Sequence, residues 1–427
     1  MHHSTTKNPL NIIVIIAALG YFVDIYDLIL FGIIRTPSLK GLGIVDPKLI
    51  LDYGVHLISI QMIGMLVGGI LWGVMGDKKG RVSVLFGSIL LYSAANLANA
   101  YVQHISDLTG LSIIDTYSLM RFIAGVGLAG ELGAGITLVN ETMTKEHRGY
   151  GTMIVVSFGV LGAVFANLLA EFANSYYGVT NGWRVSYIAG GVMGLVLLFL
   201  RIGVYESGMY ASLKEKDVVR GNLLMLVNDK ARFIKYLRCI GLGVPIWFMI
   251  GILVILSPEI SKAIGVEGVQ GGKAIMWFYA ATCAGDFLSA YFSQVFKSRK
   301  KVLLAYILLS IILTPIYLYM INGVSLNAFY VMCALLGFAA GFWAVFVTTA
   351  SEQFGTNLRS TVTTTVPNMV RGSLALLTLI LSMLKENTGL GLINSILVVG
   401  IFAFAISLIS LYRMDETYAK DLNYHEA

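Results

Sequence analysis

Charge is scarce in this chain: only 13% of its 427 residues are Asp, Glu, Lys or Arg, against roughly 25% in soluble globular domains. With 57% hydrophobic residues and a mean hydropathy of +0.78, it has more apolar surface than one aqueous core can bury. That excludes an ordinary soluble domain and leaves lipid as the solvent. Cysteine is scarce too. Cys239, Cys283 and Cys333 sit inside apolar segments without disulfide or metal-ligand spacing, so they read as buried small hydrophobes and no metal site is expected. A phosphate-cradling loop is missing. The Gly125-x-Gly127-x-x-Gly130 run lies inside an apolar helix rather than after a strand, so it is a packing surface, and neither a cofactor nor an ATP motor is expected. No cleavable leader is expected either, because the first apolar run continues for about 25 residues, too long for a signal-peptide core. His56, His104 and His147 fall near span ends or in loops and receive no catalytic role, so the chain does not read as an enzyme.

Long apolar runs are what the chain has in quantity. About twelve are long enough to cross a bilayer: 10–34, 54–76, 80–101, 114–141, 149–174, 183–206, 236–258, 272–296, 300–321, 326–352, 357–384 and 389–412. The one long polar stretch, 207–235, carries Lys214, Lys216, Arg220, Lys230, Arg232 and Lys235 and divides the runs six plus six. The expected fold is an all-α polytopic membrane protein of twelve transmembrane helices. It has an N-terminal six-helix bundle (1–206), a cytoplasmic central loop (207–235) and a C-terminal six-helix bundle (236–427).

Basic residues set the orientation. With the N-terminus inside, Lys78, Lys79, Arg81, Lys145, Arg148, the central cluster, Lys297, Arg299, Lys300, Lys301 and Arg359 all fall on the cytoplasmic side. Fewer fall outside, as the positive-inside rule requires. This places both termini in the cytoplasm and the protein in the cell (inner or plasma) membrane. It also accounts for the net charge of +6: the charges flank membrane segments rather than line one face, so nucleic acid is not an expected partner.

The two halves repeat one another. Glu141-Thr-Met-Thr-Lys-Glu-His-Arg148 ends one apolar run, and Glu352-Gln-Phe-Gly-Thr-Asn-Leu-Arg359 ends another about 210 residues later. Two copies of one plan read as two bundles facing each other, with a small-solute site in the cleft between them.

Between the second and third runs stands Gly73-Val-Met-Gly-Asp77-Lys-Lys-Gly80-Arg81. This pattern resembles the loop signature of the major facilitator superfamily. In the equivalent loop of the second half, Ser293-Gln-Val-Phe-Lys297-Ser-Arg299-Lys300, only the basic charge is kept. The resemblance implies that Asp77, Arg81, Glu141, Arg148, Glu352 and Arg359 form charge networks at a cytoplasmic gate.

The first run contains Gly20-Tyr-Phe-Val-Asp24-Ile-Tyr-Asp27. Carboxylates at mid-membrane cost about 2.5 kcal/mol or more each, and residues three apart share a helix face. Close carboxylates in a low dielectric resist double ionisation, so one is expected to hold a proton, as a proton carrier must. The D-x-x-D resembles the first span of aromatic-acid and phosphate proton symporters of the superfamily. In the fourth run, Arg121 pairs with Asp24, Asp27 or Glu131, or touches substrate. Glu131 follows Gly130 near mid-depth, where the phosphate symporters carry a functional acid. Asp286 in the eighth run is a proton site or a partner of an arginine.

The eleventh run holds the sharpest candidate, in Val366-Pro367-Asn368-Met-Val-Arg371-Gly372. Arg371 lies mid-membrane and cannot shed its charge, so it needs an anion, and its planar fork suits a carboxylate or phosphate. Pro367 is expected to kink the helix beside a cavity. The stretch from Glu352 to Gly372 resembles that of organic-anion transporters of the superfamily, whose mid-helix arginine engages the substrate anion. The alternative is a permanent salt bridge from Arg371 to Asp286 or Glu131. Tyr21, Tyr26, Trp247, Trp277, Tyr279 and Trp343 either line the cavity or pack.

Together these expectations give a proton-coupled symporter of a small organic anion working by alternating access, as a monomer. Asp24, Asp27, Glu131 and Asp286 carry protons, and Arg371, Asn368, Arg121, Tyr26 and Trp247 contact the substrate. Phosphate or a phosphate ester, a neutral sugar, and a non-transporting sensor on the same fold remain open as alternatives. The seventh run lacks the acid that the phosphate symporters carry there.

Overall fold

A computed structural model describes residues 12–79, 81–142, 148–206, 225–226, 228–319, 324–418 and 420. Among the described residues every long element is a helix, as lipid demands: a backbone without water must satisfy its own polar groups. The first six spans are Ile12–Gly41, Pro47–Lys79, Arg81–Ala100, a fourth in two pieces (Ile113–Leu128 and Glu131–Thr142), Arg148–Tyr177 and Gly182–Glu206. The seventh is Lys230–Phe248, continued by a π-helical turn over Met249–Val254 and the short helix Ser257–Ala263. Gly271–Val295 and Arg299–Leu318 follow. The tenth is again in two pieces (Leu326–Ala340 and Trp343–Glu352), and Thr356–Asn387 and Gly391–Tyr412 complete the second half.

Eleven of these helical units are long and apolar enough to cross a membrane. The remaining one, Gly271–Val295, is 25 residues long and carries Lys273 and Asp286 among small polar residues. The protein is thus all-α, with twelve long helical units in two halves of six.

Three local expectations change. The fourth run, read as one span, breaks at Ala129–Gly130, and the tenth breaks at Gly341–Phe342. These are equivalent positions in the two halves, so the internal repeat extends to the helix breaks. Pro367 lies inside Thr356–Asn387, which continues through it. The seventh helix begins at Lys230, inside the stretch assigned to the central loop, because the Asp229 side chain caps it by accepting from the Arg232 N–H at 2.7 Å.

Two pairs of long helices join the halves. The second packs on the eleventh, and the fifth on the eighth. The first contact includes the Ser59–Thr378 hydroxyl pair at 3.0 Å. The second includes Cys283 Sγ donating to the Ser157 carbonyl at 3.1 Å. Near the C-terminal end of the first span, Arg35 Nη2 donates to Glu259 Oε1 of the short helix Ser257–Ala263 at 2.6 Å, an ion pair bridging the halves.

Candidate functional site

The site is built where the first and eleventh spans meet. Arg371 is buried, and its Nη2 lies 3.5 Å from Asp24 Oδ2, across the two halves. Charge-assisted hydrogen bonds of this type usually close to about 2.7–2.9 Å, so the contact is long. Among the described residues, Arg371 Nε, Arg371 Nη1 and Asp24 Oδ1 have no hydrogen-bond partner. Two-thirds of the arginine fork is therefore uncommitted. The Trp343 ring lies beneath it, 5.7 Å from the guanidinium carbon, a cation–π contact that favours the charge in a dry setting. Arg371 thus takes neither of its two expected static partners, Asp286 or Glu131.

Glu131 has its own partner. Arg201, on the sixth span, grips both its oxygens: Nη1 donates to Oε2 at 3.0 Å and Nη2 to Oε1. Gly20 makes room for the pair, since a Cβ there would land on both side chains. Sequence reasoning missed Arg201. The signal was a charged residue inside the apolar stretch Leu197–Gly203, which demands an opposite charge at membrane depth.

Asp24 and Asp27 share a helix but face different neighbours. Asp24 faces the other half, whereas Asp27 faces inward, where a Cβ on Gly190 of the sixth span would meet its carboxylate. Neither Asp27 oxygen has a hydrogen-bond partner among the described residues. The Arg121 guanidinium and the Asn96 amide act on it. Arg121, also buried, donates to Gln61 Oε1 and, at 3.5 Å, to the Tyr187 hydroxyl, and it lies over the Phe31 ring at 5.1 Å. No ion pair to Asp24, Asp27 or Glu131 is present for it among the described residues.

Asp286 sits at the break in the tenth span. Its Oδ1 accepts from the Ala344 N–H at 3.1 Å, at the N-terminus of Trp343–Glu352. Helix N-termini carry unpaired N–H groups and favour an anion. The break is tight, because Gly341 packs directly on the Gly285 backbone. Asp286 Oδ2 and Trp343 Nε1 have no partner among the described residues. Tyr21 and Tyr279 lie within electrostatic reach of both Arg371 and Asp286.

Asn368 stands one turn before Arg371. Its Nδ2 donates to the Ala129 carbonyl at the break in the fourth span at 2.7 Å and to the Thr364 carbonyl at 2.9 Å, which joins the halves. Tyr26 is committed elsewhere: its hydroxyl donates to the Ser186 carbonyl at 2.8 Å, inside the first half. Trp247 is buried in the seventh span, while Trp277 is exposed on the surface.

Of the residues expected at a cytoplasmic gate, the side chains of Asp77, Arg81, Glu141, Arg148 and Arg359 lie outside the described residues. Glu352 is described. Arg299 Nε approaches it at 3.5 Å and the Thr417 hydroxyl donates to it at 2.8 Å. The neighbouring Glu416 accepts from the Ser298 hydroxyl and the Arg299 N–H at 2.9 Å. Burial raises the Glu416 carboxyl, but hydrogen bonds from Ser298, Arg299, Tyr418 and Lys300 outweigh it and hold the group below its ordinary range.

Residues 17–377 match the Major Facilitator Superfamily. A putative metabolite transport protein of Haemophilus influenzae is 27% identical over 281 residues, 62% of this chain and 62% of that protein's own length. A putative niacin/nicotinamide transporter, NiaP, of Bacillus subtilis is 25% identical over 322 residues, 71% of this chain and 72% of that protein. Among solved structures, the proton:xylose symporter XylE superposes with a TM-score of 0.71 at 18% identity, covering 99% of this chain and 98% of that one. That likeness is one of fold.

Proposed function

Because the chain belongs to the Major Facilitator Superfamily, and so is a transporter rather than an enzyme, we propose that it is a proton-coupled symporter of a small organic anion. It would work by alternating access in the cell membrane with both termini in the cytoplasm. The observation that carries this reading is the buried, half-committed Arg371–Asp24 pair between the halves.

In the empty carrier the two charges neutralise one another. A proton on Asp24 releases Arg371, and a carboxylate takes the vacated fork. One proton and one carboxylate add no net charge, so empty and loaded carriers both present a neutral centre and both can reorient. Charge counting supports a bound proton. The buried centre holds four carboxylates (Asp24, Asp27, Glu131, Asp286) and three guanidiniums (Arg121, Arg201, Arg371), and an unpaired buried charge is costly. A second proton carried inward gains about 2.3 kcal/mol per 100 mV of membrane potential. A relative is named for niacin and nicotinamide, a small carboxylate and its neutral amide, and the first of these is compatible with the reading.

Thermal stability of the purified protein against carboxylates, inorganic phosphate and sugars, at pH 5.5 and 7.5, tests the reading. A ligand at about a hundred times its Kd stabilises by roughly 2.7 kcal/mol. Stabilisation by a carboxylate, greater at pH 5.5, is the expected result. Stabilisation by sugars alone, insensitive to pH, would recast Arg371 as scaffold, and by phosphate alone would change the anion.

A further inference from the structure

The atoms left without partners at the centre are not all explained by a carboxylate. Once a protonated Asp24 releases Nη2, Arg371 offers Nη2 with Nε or with Nη1 to the carboxylate's two oxygens, and Asp24 Oδ1 belongs to the group that takes the proton. Of the others, which include Asn368 Oδ1 and both Asp27 oxygens, Asp286 Oδ2 is an acceptor and Trp343 Nε1 a donor at one helix break, both without a partner among the described residues. Asp286 is wholly buried and Trp343 is 5% exposed. Both are fixed by the same helix break: Asp286 Oδ1 is held by the Ala344 N–H at 3.1 Å, and Trp343 opens that half-helix. The Trp343 ring in turn lies under Arg371 at 5.7 Å, and Tyr21 and Tyr279 reach both poles electrostatically. A buried polar group without a partner is costly, and a ligand that satisfies it gains accordingly.

A single hydroxyl fits such a pair, because it donates through its hydrogen and accepts through its oxygen. Building on the reading of Arg371 as carboxylate anchor, we infer that the substrate is a hydroxycarboxylate, its hydroxyl donating to Asp286 Oδ2 and accepting from Trp343 Nε1. Asp286 and Trp343 then determine specificity: an acid lacking the hydroxyl leaves both groups unpaired, and discrimination by unpaired buried polar groups is steep. The aromatic walls, Tyr21, Tyr279 and the Trp343 ring, enclose the carbon skeleton between the two poles.

Binding of matched acids with and without one hydroxyl tests this: lactate against propanoate, mandelate against phenylacetate, para-hydroxybenzoate against benzoate. The readout is the ratio of Kd values in wild type, Trp343→Phe, Asp286→Asn and Arg371→Ala, each first checked for a monodisperse elution peak. Trp343→Phe keeps the ring and removes the donor. Asp286→Asn keeps the shape and removes the charge. In wild type at least one hydroxylated member should bind on the order of tenfold tighter or more, and each of the first two variants should reduce that ratio several-fold, whatever happens to absolute affinity. A wild-type ratio near one in every pair, or a ratio preserved in both variants, overturns the hydroxycarboxylate inference alone. Absence of carboxylate binding, or binding unchanged in Arg371→Ala, overturns the anion reading and this inference with it.

Discussion

Arg371 on the eleventh span reaches Asp24 on the first with one nitrogen at 3.5 Å, while Arg201 on the sixth span holds Glu131 on the fourth by both oxygens. One pair is open and joins the two halves. The other is closed and lies within the first half. An arginine and a carboxylate therefore serve two purposes in one buried centre, and the difference separates a group that can exchange partners from one that keeps them.

The closed pair should behave as scaffold. Arg201→Ala strands the Glu131 carboxylate in a buried site, at a cost on the order of 3–5 kcal/mol. Glu131→Gln strands the Arg201 guanidinium, which cannot shed its charge, and should also lose stability, and the double variant Glu131→Gln/Arg201→Met should recover part of the loss. Thermal unfolding of the four proteins checks this. An Arg201→Ala protein as stable as wild type would show that the pair holds nothing together.

Gly20 supports the same pair by its lack of a side chain, since a Cβ would fall on both Arg201 and Glu131. Gly20→Ala should lower thermal stability, and Gly20→Val should lower it further. Combining Gly20→Ala with Glu131→Gln/Arg201→Met should add less than its separate effect, because the obstructed pair is already gone.

Helix count and the division into halves were legible because lipid leaves the sequence few options: each span must be a long apolar run, and basic residues mark the ends. The breaks at Ala129–Gly130 and Gly341–Phe342 were not, because glycine-rich runs inside apolar stretches read equally well as close packing. Arg371 was identifiable alone, as a charge that cannot be shed at mid-depth. Its partner was not, since Asp24 lies about 350 residues away in sequence and the pairing exists only once the halves meet. The D-x-x-D spacing suggested one shared site. The two face different neighbours, Asp24 towards Arg371 and Asp27 towards Gly190, a difference that no spacing within the first span encodes.

The Arg35–Glu259 ion pair makes a conformational prediction. Arg35 and Glu259 bridge the halves at 2.6 Å, and the Ser59–Thr378 hydroxyls meet on the same side. Arg35→Ala or Glu259→Ala should raise the labelling rate of a cysteine placed at Ser59 by a membrane-impermeant thiol reagent. The charge-swapped pair Arg35→Glu/Glu259→Arg should bring it back towards the parental rate. Equal labelling in all four proteins would mean that the bridge does not hold this side closed.

Glu416 fastens the segment after the last span to the start of the ninth helix through the Ser298 hydroxyl and the N–H groups of Arg299 and Lys300. Its carboxyl is held below its ordinary value of 4.5. A depressed group contributes stability that is present above its unfolded pKa and lost as pH falls through its folded one. Protection of this segment from carboxypeptidase should therefore be full near neutrality and fall only below about pH 4.5. Glu416→Gln should lose protection at every pH, and pH-independent protection in that variant would rule out the carboxylate as the fastening group.

The central claim is that a proton on Asp24 frees Arg371 for a carboxylate. The direct measurement is carboxylate affinity against pH in wild type and Asp24→Asn. Wild type should bind more tightly as pH falls from 7.5 to 5.5. Asn mimics the protonated acid, so Asp24→Asn should bind at pH 7.5 at least as tightly as wild type does at pH 5.5 and lose the pH dependence. An Asp24→Asn protein that keeps the wild-type pH dependence, or binds no carboxylate while folded and Arg371 is intact, would contradict the account.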